Sequence, residues 1–313
     1  MNNVATNNES LKAYESCTLC PRNCKVNRND KVGYCREKSA LHVARAALHM
    51  WEEPCISGIS GSGTVFFSGC NMGCVFCQNR EISRGETGKY ISIERLTDIF
   101  FELEDKGANN INLVTGDIFI PSIIPAIESA KKRGLKIPFL LNTSSYINVD
   151  SIKALEGLID IYLPDFKYIR EEDSIRYSNA PDYPDVAKAA IDEMVRQHPL
   201  CSFSDKLQGL EPILKEGVIV RHLLMPGMLI QGKLIVRYLH EKYGDNIYIS
   251  LMNQFTPSEE LSKTHPEISR KVTESEYQSL VDYAVNLGIT KAYVQEGDTA
   301  MESFIPAFDC TGV

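Results

Sequence analysis

From about residue 60 onward, short and nearly continuous apolar runs alternate with longer amphipathic stretches. The runs Thr64–Phe67, Ile111–Val114, Phe139–Leu141, Ile159–Leu163, Val218–Leu223 and Ile247–Leu251 have the composition of strands buried on both faces. Between them, IERLTDIFFELEDKG and PSIIPAIESAKKRG repeat apolar residues at helical spacing. Each closes on a glycine, Gly107 or Gly134, suited to the left-handed turn after a helix. VDSIKALEG, PDVAKAAIDEMVRQH, KLIVRYLHEKYG and ESEYQSLVDYAVNLG continue the series. The alternation predicts an α/β chain of parallel strands joined by right-handed crossovers. Six such units suit a partial (β/α)6 barrel over 59–313. A doubly wound sheet is the rival, and spacing alone does not separate the two. Residues 1–58 show little periodicity and form a small cysteine-rich N-terminal segment; the Gly/Ser-rich stretch Ser57–Gly63 reads as the loop between the parts.

Composition changes this picture little. The 313 residues are 43% hydrophobic and 24% charged, as in ordinary globular domains. No apolar run approaches the roughly 18 residues of a membrane span. The start, MNNVATNNES, has no apolar core of a secretory signal, so a cytoplasmic location is expected. A net charge of −8 argues against broad nucleic-acid binding, which needs a basic footprint.

The ten cysteines carry more. Eight fall in the first quarter: Cys17, Cys20, Cys24, Cys35, Cys55, Cys70, Cys74 and Cys77. With no secretory signal, clustered cysteines read as metal ligands rather than disulfides. Cys201 and Cys310 stand apart as incidental thiols, and Cys55 is at most a spare ligand. Within Phe67–Cys77, Cys70, Cys74 and Cys77 follow gaps of three and two residues on a loop with Gly69 and Gly73. Chance gives this spacing on the order of 0.01 times in a chain of this composition. Three thiolates on one loop can hold an iron–sulfur cube with one iron left open; a zinc site with a fourth ligand from elsewhere is the alternative.

C-x3-C-x2-C with an aromatic, Phe76, before the last cysteine resembles the signature of the radical S-adenosylmethionine (SAM) superfamily. EEPCISG, GSGTVFFSGCNMGCVFCQN, DIYLPDFKY, YSNAPDYP and VRHLLMPG together resemble an uncharacterised group related to pyruvate formate-lyase activating enzymes. The resemblance implies a [4Fe-4S] cluster on Cys70, Cys74 and Cys77, with SAM chelating the open iron. It further implies reductive cleavage of SAM to a 5′-deoxyadenosyl radical, with the cofactors carrying the hard chemistry.

In a (β/α) barrel, chemistry gathers at the C-terminal strand ends, and polar motifs follow the strands here. Thr115-Gly116-Asp117 stands where the superfamily has Gly-Gly-Glu, which implies SAM contacts for Gly116 and Asp117; a turn with Asp117 as helix cap is the plain reading. Asn142-Thr143-Ser144 stands where the activating enzymes have Asp-Thr-Asn, implying a ribose contact for Asn142 and Thr143, while loss of the Asp charge leaves the relatives' cation site in question. Asp165 and Lys167 match their Asp-x-Lys and share one face of a continued strand; an ion pair alone would also explain them. Arg221, inside VIVRHLL, needs a carboxylate partner, which is Asp165 or the carboxylate of SAM. His222 alternates to the other face, and His49 and His265 suit packing roles.

Cys17-x2-Cys20-x3-Cys24-x10-Cys35 supplies four thiolates for a closed site, either zinc or a second iron–sulfur cluster. The functional expectation is a radical SAM enzyme drawing on a reductant such as flavodoxin or ferredoxin. Its target is a glycyl-radical protein, a small molecule or another polypeptide. A non-catalytic iron–sulfur carrier or zinc scaffold is the alternative from a different class, and polar residues ringing the strand ends speak against it.

Overall fold

The computed structural model describes residues 10–205, 211–295 and 306–313. The Asn-rich start falls outside them. The strands are β1 (Leu41–His49), β2 (Ser62–Phe67), β3 (Lys89–Ile91), β4 (Ile111–Val114), β5 (Phe139–Thr143), β6 (Ile161–Pro164), β7 (Ser202–Phe203), β8 (Leu214–Leu223), β9 (Tyr248–Met252) and β10 (Ala292–Val294). The sheet order is β10-β9-β8-β6-β5-β4-β2-β1-β3, with β7 beside β8. All six expected strands are present, and β2, β4, β5, β6, β8 and β9 are parallel neighbours in chain order. A doubly wound sheet reverses its order part-way. The parallel series from β2 to β10 never does, so it curls in one direction as a partial barrel. β3 and β10 are its ends and do not pair with each other, so the barrel is open.

The crossovers carry the expected helices, and their ends have local causes. Ile93–Asp105 starts at Ser92, whose hydroxyl accepts from the Arg95 amide. Past it, Gly107 adopts φ 85°, a conformation that costs glycine little. Glu274–Asn286 starts on a capping box between Thr273 and Glu276. Ile120–Lys132, Tyr183–Gln197 and Leu229–Tyr243 complete the outer layer.

β1 is absent from the sequence expectation. LHVARAALH mixes Arg and His with small apolar residues, yet the strand pairs antiparallel with β2 and joins the main sheet. Every residue of β2, β4, β5 and β6 is buried, and successive side chains enter different layers. Leu141, Tyr162 and Val220 face the helices in the main core, whereas Leu140, Ile161, Leu163 and Ile219 face the barrel lumen. Cys55 and Ile56, on the short helix Pro54–Ser57, plug the lumen from the N-terminal strand end. Asn109 and Asn110 fasten that helix through the carbonyls of Ser57 and Ile56.

Candidate functional site

The lumen changes character along each strand. On β5 the interior sequence is Leu140 then Asn142; past β6 it is Ile161, Leu163, then Asp165; on β8 it is Ile219 then Arg221. The period of two therefore sets a polar layer directly above an apolar floor. That layer and the loop after β2 enclose one cavity, lined by Cys70, Cys74, Phe76, Cys77, Thr115, Asn142, Thr143, Ser144, Asp165, Lys167 and Arg221 among others.

The loop is shaped by Gly69 and Gly73, at φ 85° and 64°. A side chain on Gly69 would lie 2.8 Å from the Cys35 carbonyl oxygen. Phe76 packs on Phe255 and Tyr168, ring centroids 5.8 and 6.5 Å away, which anchors the loop's far end. Burial, then Cys74 and Cys77, push the Cys70 thiol up to about 12; burial and Cys74 likewise raise Cys77. Such a group resists ionising together unless a cationic centre sits among it. That is the donor set of an iron–sulfur cube. Among the described residues, no three Cys, His, Asp or Glu side chains converge on a single metal ion.

Opposite the sulfurs lies an ion array. Arg221 donates from Nε to Asp165 at 2.8 Å, from Nη1 to Glu52 at 3.1 Å, and from Nη2 to Asn142. Lys167 pairs with the other Asp165 oxygen at 2.5 Å. Burial pushes the Asp165 carboxyl up, but Arg221 and Lys167 outweigh it and hold it below its usual value. Lys167 is drawn down by burial and raised on balance by Asp165 and Cys74. Glu52 also accepts from Asn112 at 3.0 Å and Asn142 at 3.3 Å, so one carboxylate joins β4, β5 and β8. Its neighbour Glu53 is buried, with Oε2 unpartnered; burial raises its carboxyl despite Arg221, and Glu52 adds to the rise.

Thr115 lines the cavity at φ 59°, a left-handed conformation that strains a β-branched residue. Gly116 and Asp117 lie beneath it, outside the cavity lining. A side chain on Gly116 would crowd Ile123 at 2.9 Å. Both Asp117 carboxylate oxygens are buried without a hydrogen-bond partner, the Thr143 hydroxyl approaching without good geometry. Burial, helped by Asp165, pushes this carboxyl up to about 7. An orphaned buried carboxyl is a group that a cationic ligand satisfies.

A family model, the radical SAM superfamily, matches residues 64–229, more than half of the chain. The chain belongs to the radical SAM superfamily. It is 30% identical over 287 residues to an uncharacterised protein of Methanocaldococcus jannaschii, covering 90% of this chain and 77% of that one. Crystal structures of Streptococcus suis SuiB are also similar. One, bound to the precursor peptide SuiA, is 14% identical with a TM-score of 0.46, covering 72% of this chain and 46% of that one. One bound to S-adenosylmethionine is 14% identical with a TM-score of 0.45, covering 73% and 45%. The FeFe-hydrogenase maturase HydG from Carboxydothermus hydrogenoformans is 13% identical with a TM-score of 0.47, covering 77% and 59%. The chain spans about half the length of these solved structures.

In this radical SAM chain the structure brings Cys70, Cys74, Cys77, Phe76, Asn142, Thr143, Asp165, Lys167 and Arg221 to one cavity. Glu52, Glu53 and Thr115 carry no site role in the sequence reading. The available signal was an acidic pair directly before Pro54, in a stretch from 39 to 79 whose only other charged residue is Arg45. His49, read as packing, lies on the cavity wall; burial, then Arg45 and Arg221, lower its affinity for a proton. His222 faces away, hydrogen-bonded to the Phe166 carbonyl at 2.9 Å.

Cys17, Cys20, Cys24 and Cys35 form a second group. The Cys24 and Cys35 sulfurs lie 3.5 and 3.3 Å from the position a Gly33 side chain would take. Burial, then Cys35 and Cys17, push Cys20 up to about 11, and burial with Cys17 and Cys24 raises Cys35. Cys55 is remote from both groups, beside Cys201 and Tyr293 in the lumen floor.

Proposed function

We propose that this chain binds a [4Fe-4S] cluster through Cys70, Cys74 and Cys77 and cleaves SAM reductively in the adjoining cavity. The observation that carries the reading is the placing of the three cysteine thiols and the Arg221–Asp165–Lys167 array on the walls of one cavity. When bound, the cluster supplies one electron to SAM, whose cleavage yields methionine and a 5′-deoxyadenosyl radical. The chain's own groups bind and orient. Arg221 has N–H groups beyond the three already engaged, and these suit the carboxylate of SAM. Asn142 and Thr143, which line the cavity, suit the ribose hydroxyls. Phe76 and the plugged floor restrict water.

The described residues contain no helix long and apolar enough to cross a membrane. The reading places the protein in the cytoplasm with flavodoxin or ferredoxin as reductant. A glycyl-radical protein is one substrate in keeping with the YSNAPDYP and DIYLPDFKY resemblance; a small molecule or another polypeptide is the second. A glycyl-radical protein encoded next to this chain would favour the first. Cys17, Cys20, Cys24 and Cys35 hold a second metal, zinc or another cluster, with no position left for substrate. Anaerobic reconstitution tests the core of this reading. Dithionite and SAM should give 5′-deoxyadenosine, and SAM should perturb the iron signal; a spectrum indifferent to SAM ends it.

A further inference from the structure

The sulfur of Cys74 is reached by a hydroxyl from far along the chain. Ser178, 104 residues further along, donates a hydrogen bond from Oγ to Cys74 Sγ at 3.0 Å. Ser178 is buried and shares a 2.8 Å hydrogen bond with the hydroxyl of Tyr168, also buried. Lys167 lends a cationic field to Cys74 and Cys77 alike. Cys70, by contrast, receives the amide of Met72 from its own loop at 3.4 Å.

The hydroxyl is held in place from outside the barrel. Arg22 lies between Cys20 and Cys24. Its Nη2 donates to the Ser178 carbonyl at 3.0 Å and its Nη1 to the Asn179 carbonyl at 2.5 Å. The same guanidinium reaches the triad loop, with Nε donating to the Asn71 carbonyl at 2.8 Å and Nη2 to the Met72 carbonyl at 3.4 Å. It packs over the rings of Tyr34 and Tyr146, 4.0 and 5.0 Å from their centroids. Val75 completes the fastening by donating its amide to the Tyr177 carbonyl at 2.9 Å. Asn179 ends the helix Glu171–Ser178 in the left-handed conformation, φ 46°. One arginine therefore grips both the loop that carries Cys74 and the helix end that presents the hydroxyl to it.

We propose that Ser178 sets the reduction potential of the cluster on the triad, with Arg22 as the positioning residue that keeps its hydroxyl on Cys74. The inference rests on the proposed binding of a cluster there. Reduction adds one electron to the cluster and its thiolates, taken from an external reductant such as flavodoxin, ferredoxin or dithionite, and breaks no bond. A hydroxyl donating to a ligand sulfur stabilises the more negative, reduced form. Burial keeps water from supplying the same bond. Tyr177-Ser178-Asn179 thereby gains a task, which its place in the sequence did not reveal.

The test is a mediated redox titration of the reconstituted full-length protein, followed by the electron paramagnetic resonance of the reduced cluster. Ser178→Ala should move the midpoint to a more negative potential at unchanged iron content. At the wild-type midpoint the reduced-to-oxidised ratio should fall about fivefold, the factor of one hydrogen bond of ordinary net strength. Ser178→Thr should restore the wild-type midpoint, and Arg22→Gln should shift it in the same direction as Ser178→Ala. Should the alanine variant fail to take up iron, Ser178→Thr and Ser178→Cys decide, the weaker donor of Cys giving the lower potential. Equal midpoints across variants that carry the cluster overturn the role of Ser178. A wild-type chain that takes up no iron overturns the cluster itself.

Discussion

The two groups of cysteines share an element and differ in almost everything else. Cys70, Cys74 and Cys77 sit on one loop, face a cavity, and look across it at buried charges. Cys17, Cys20, Cys24 and Cys35 are threaded through a segment with little regular structure, whose turns use left-handed Asn23, Lys25 and Arg36. Three thiols facing a cavity suit chemistry, because a position remains for a ligand. Four thiols folded among themselves suit a staple, which a segment with so small an apolar core requires. Arg22 is where the two meet.

The largest expected effect separates them outright. Cys74→Ala should abolish 5′-deoxyadenosine formation, measured by chromatography after anaerobic turnover, while persistent formation clears Cys74 of a ligand role. The double variant Cys17→Ser, Cys20→Ser should instead lose one zinc or about four irons by metal analysis and leave the triad's iron in place. Loss of neither removes the second site. Arg221→Ala asks whether the cavity's charges form a unit. It strands Asp165 and Glu52 in the interior, and denaturant unfolding should register about 3–5 kcal/mol. A loss below about 1 kcal/mol would show the array to be solvated.

A smaller, pH-dependent effect concerns Asp117. Its folded carboxyl is raised from 3.8 to about 7, so its contribution to stability is intact below pH 4 and lost as pH rises towards 7. Asp117→Asn should flatten that part of the stability profile of the ligand-free protein and stabilise it near pH 8 by up to about 4 kcal/mol, read from melting curves. Parallel profiles would mean the carboxyl is already paired. The smallest change expected is Thr115→Gly. Relief of the left-handed strain and the added chain entropy of glycine nearly cancel, leaving stability within about 1 kcal/mol.

The six parallel strands were legible because each is an apolar run with a helix-period segment after it. β1 was not, because its small and basic residues gain their meaning only from pairing with β2. Asp165, Lys167 and Arg221 could be found as charges at strand ends. Glu52 could not: it reaches the lumen from a loop, and only the plug of Pro54–Ser57 shows why a carboxylate there is buried. Asp117 was placed on the ligand side by resemblance, yet Thr115 is the residue of that turn that lines the cavity. Strand position predicts which end of the barrel a residue occupies. Backbone angles within a turn decide which side chain faces inward.

The apolar plug has an electrical consequence. Leu140, Ile161, Leu163 and Ile219 form a dry floor under the array of Glu52, Asp165 and Arg221, so few mobile ions can approach it from below. Dissolved salt screens exposed charges over about 10 Å at 0.1 M and reaches buried ones far less. Raising ionic strength should therefore slow any encounter guided by the protein's net charge of −8 while leaving the array's internal attraction nearly constant.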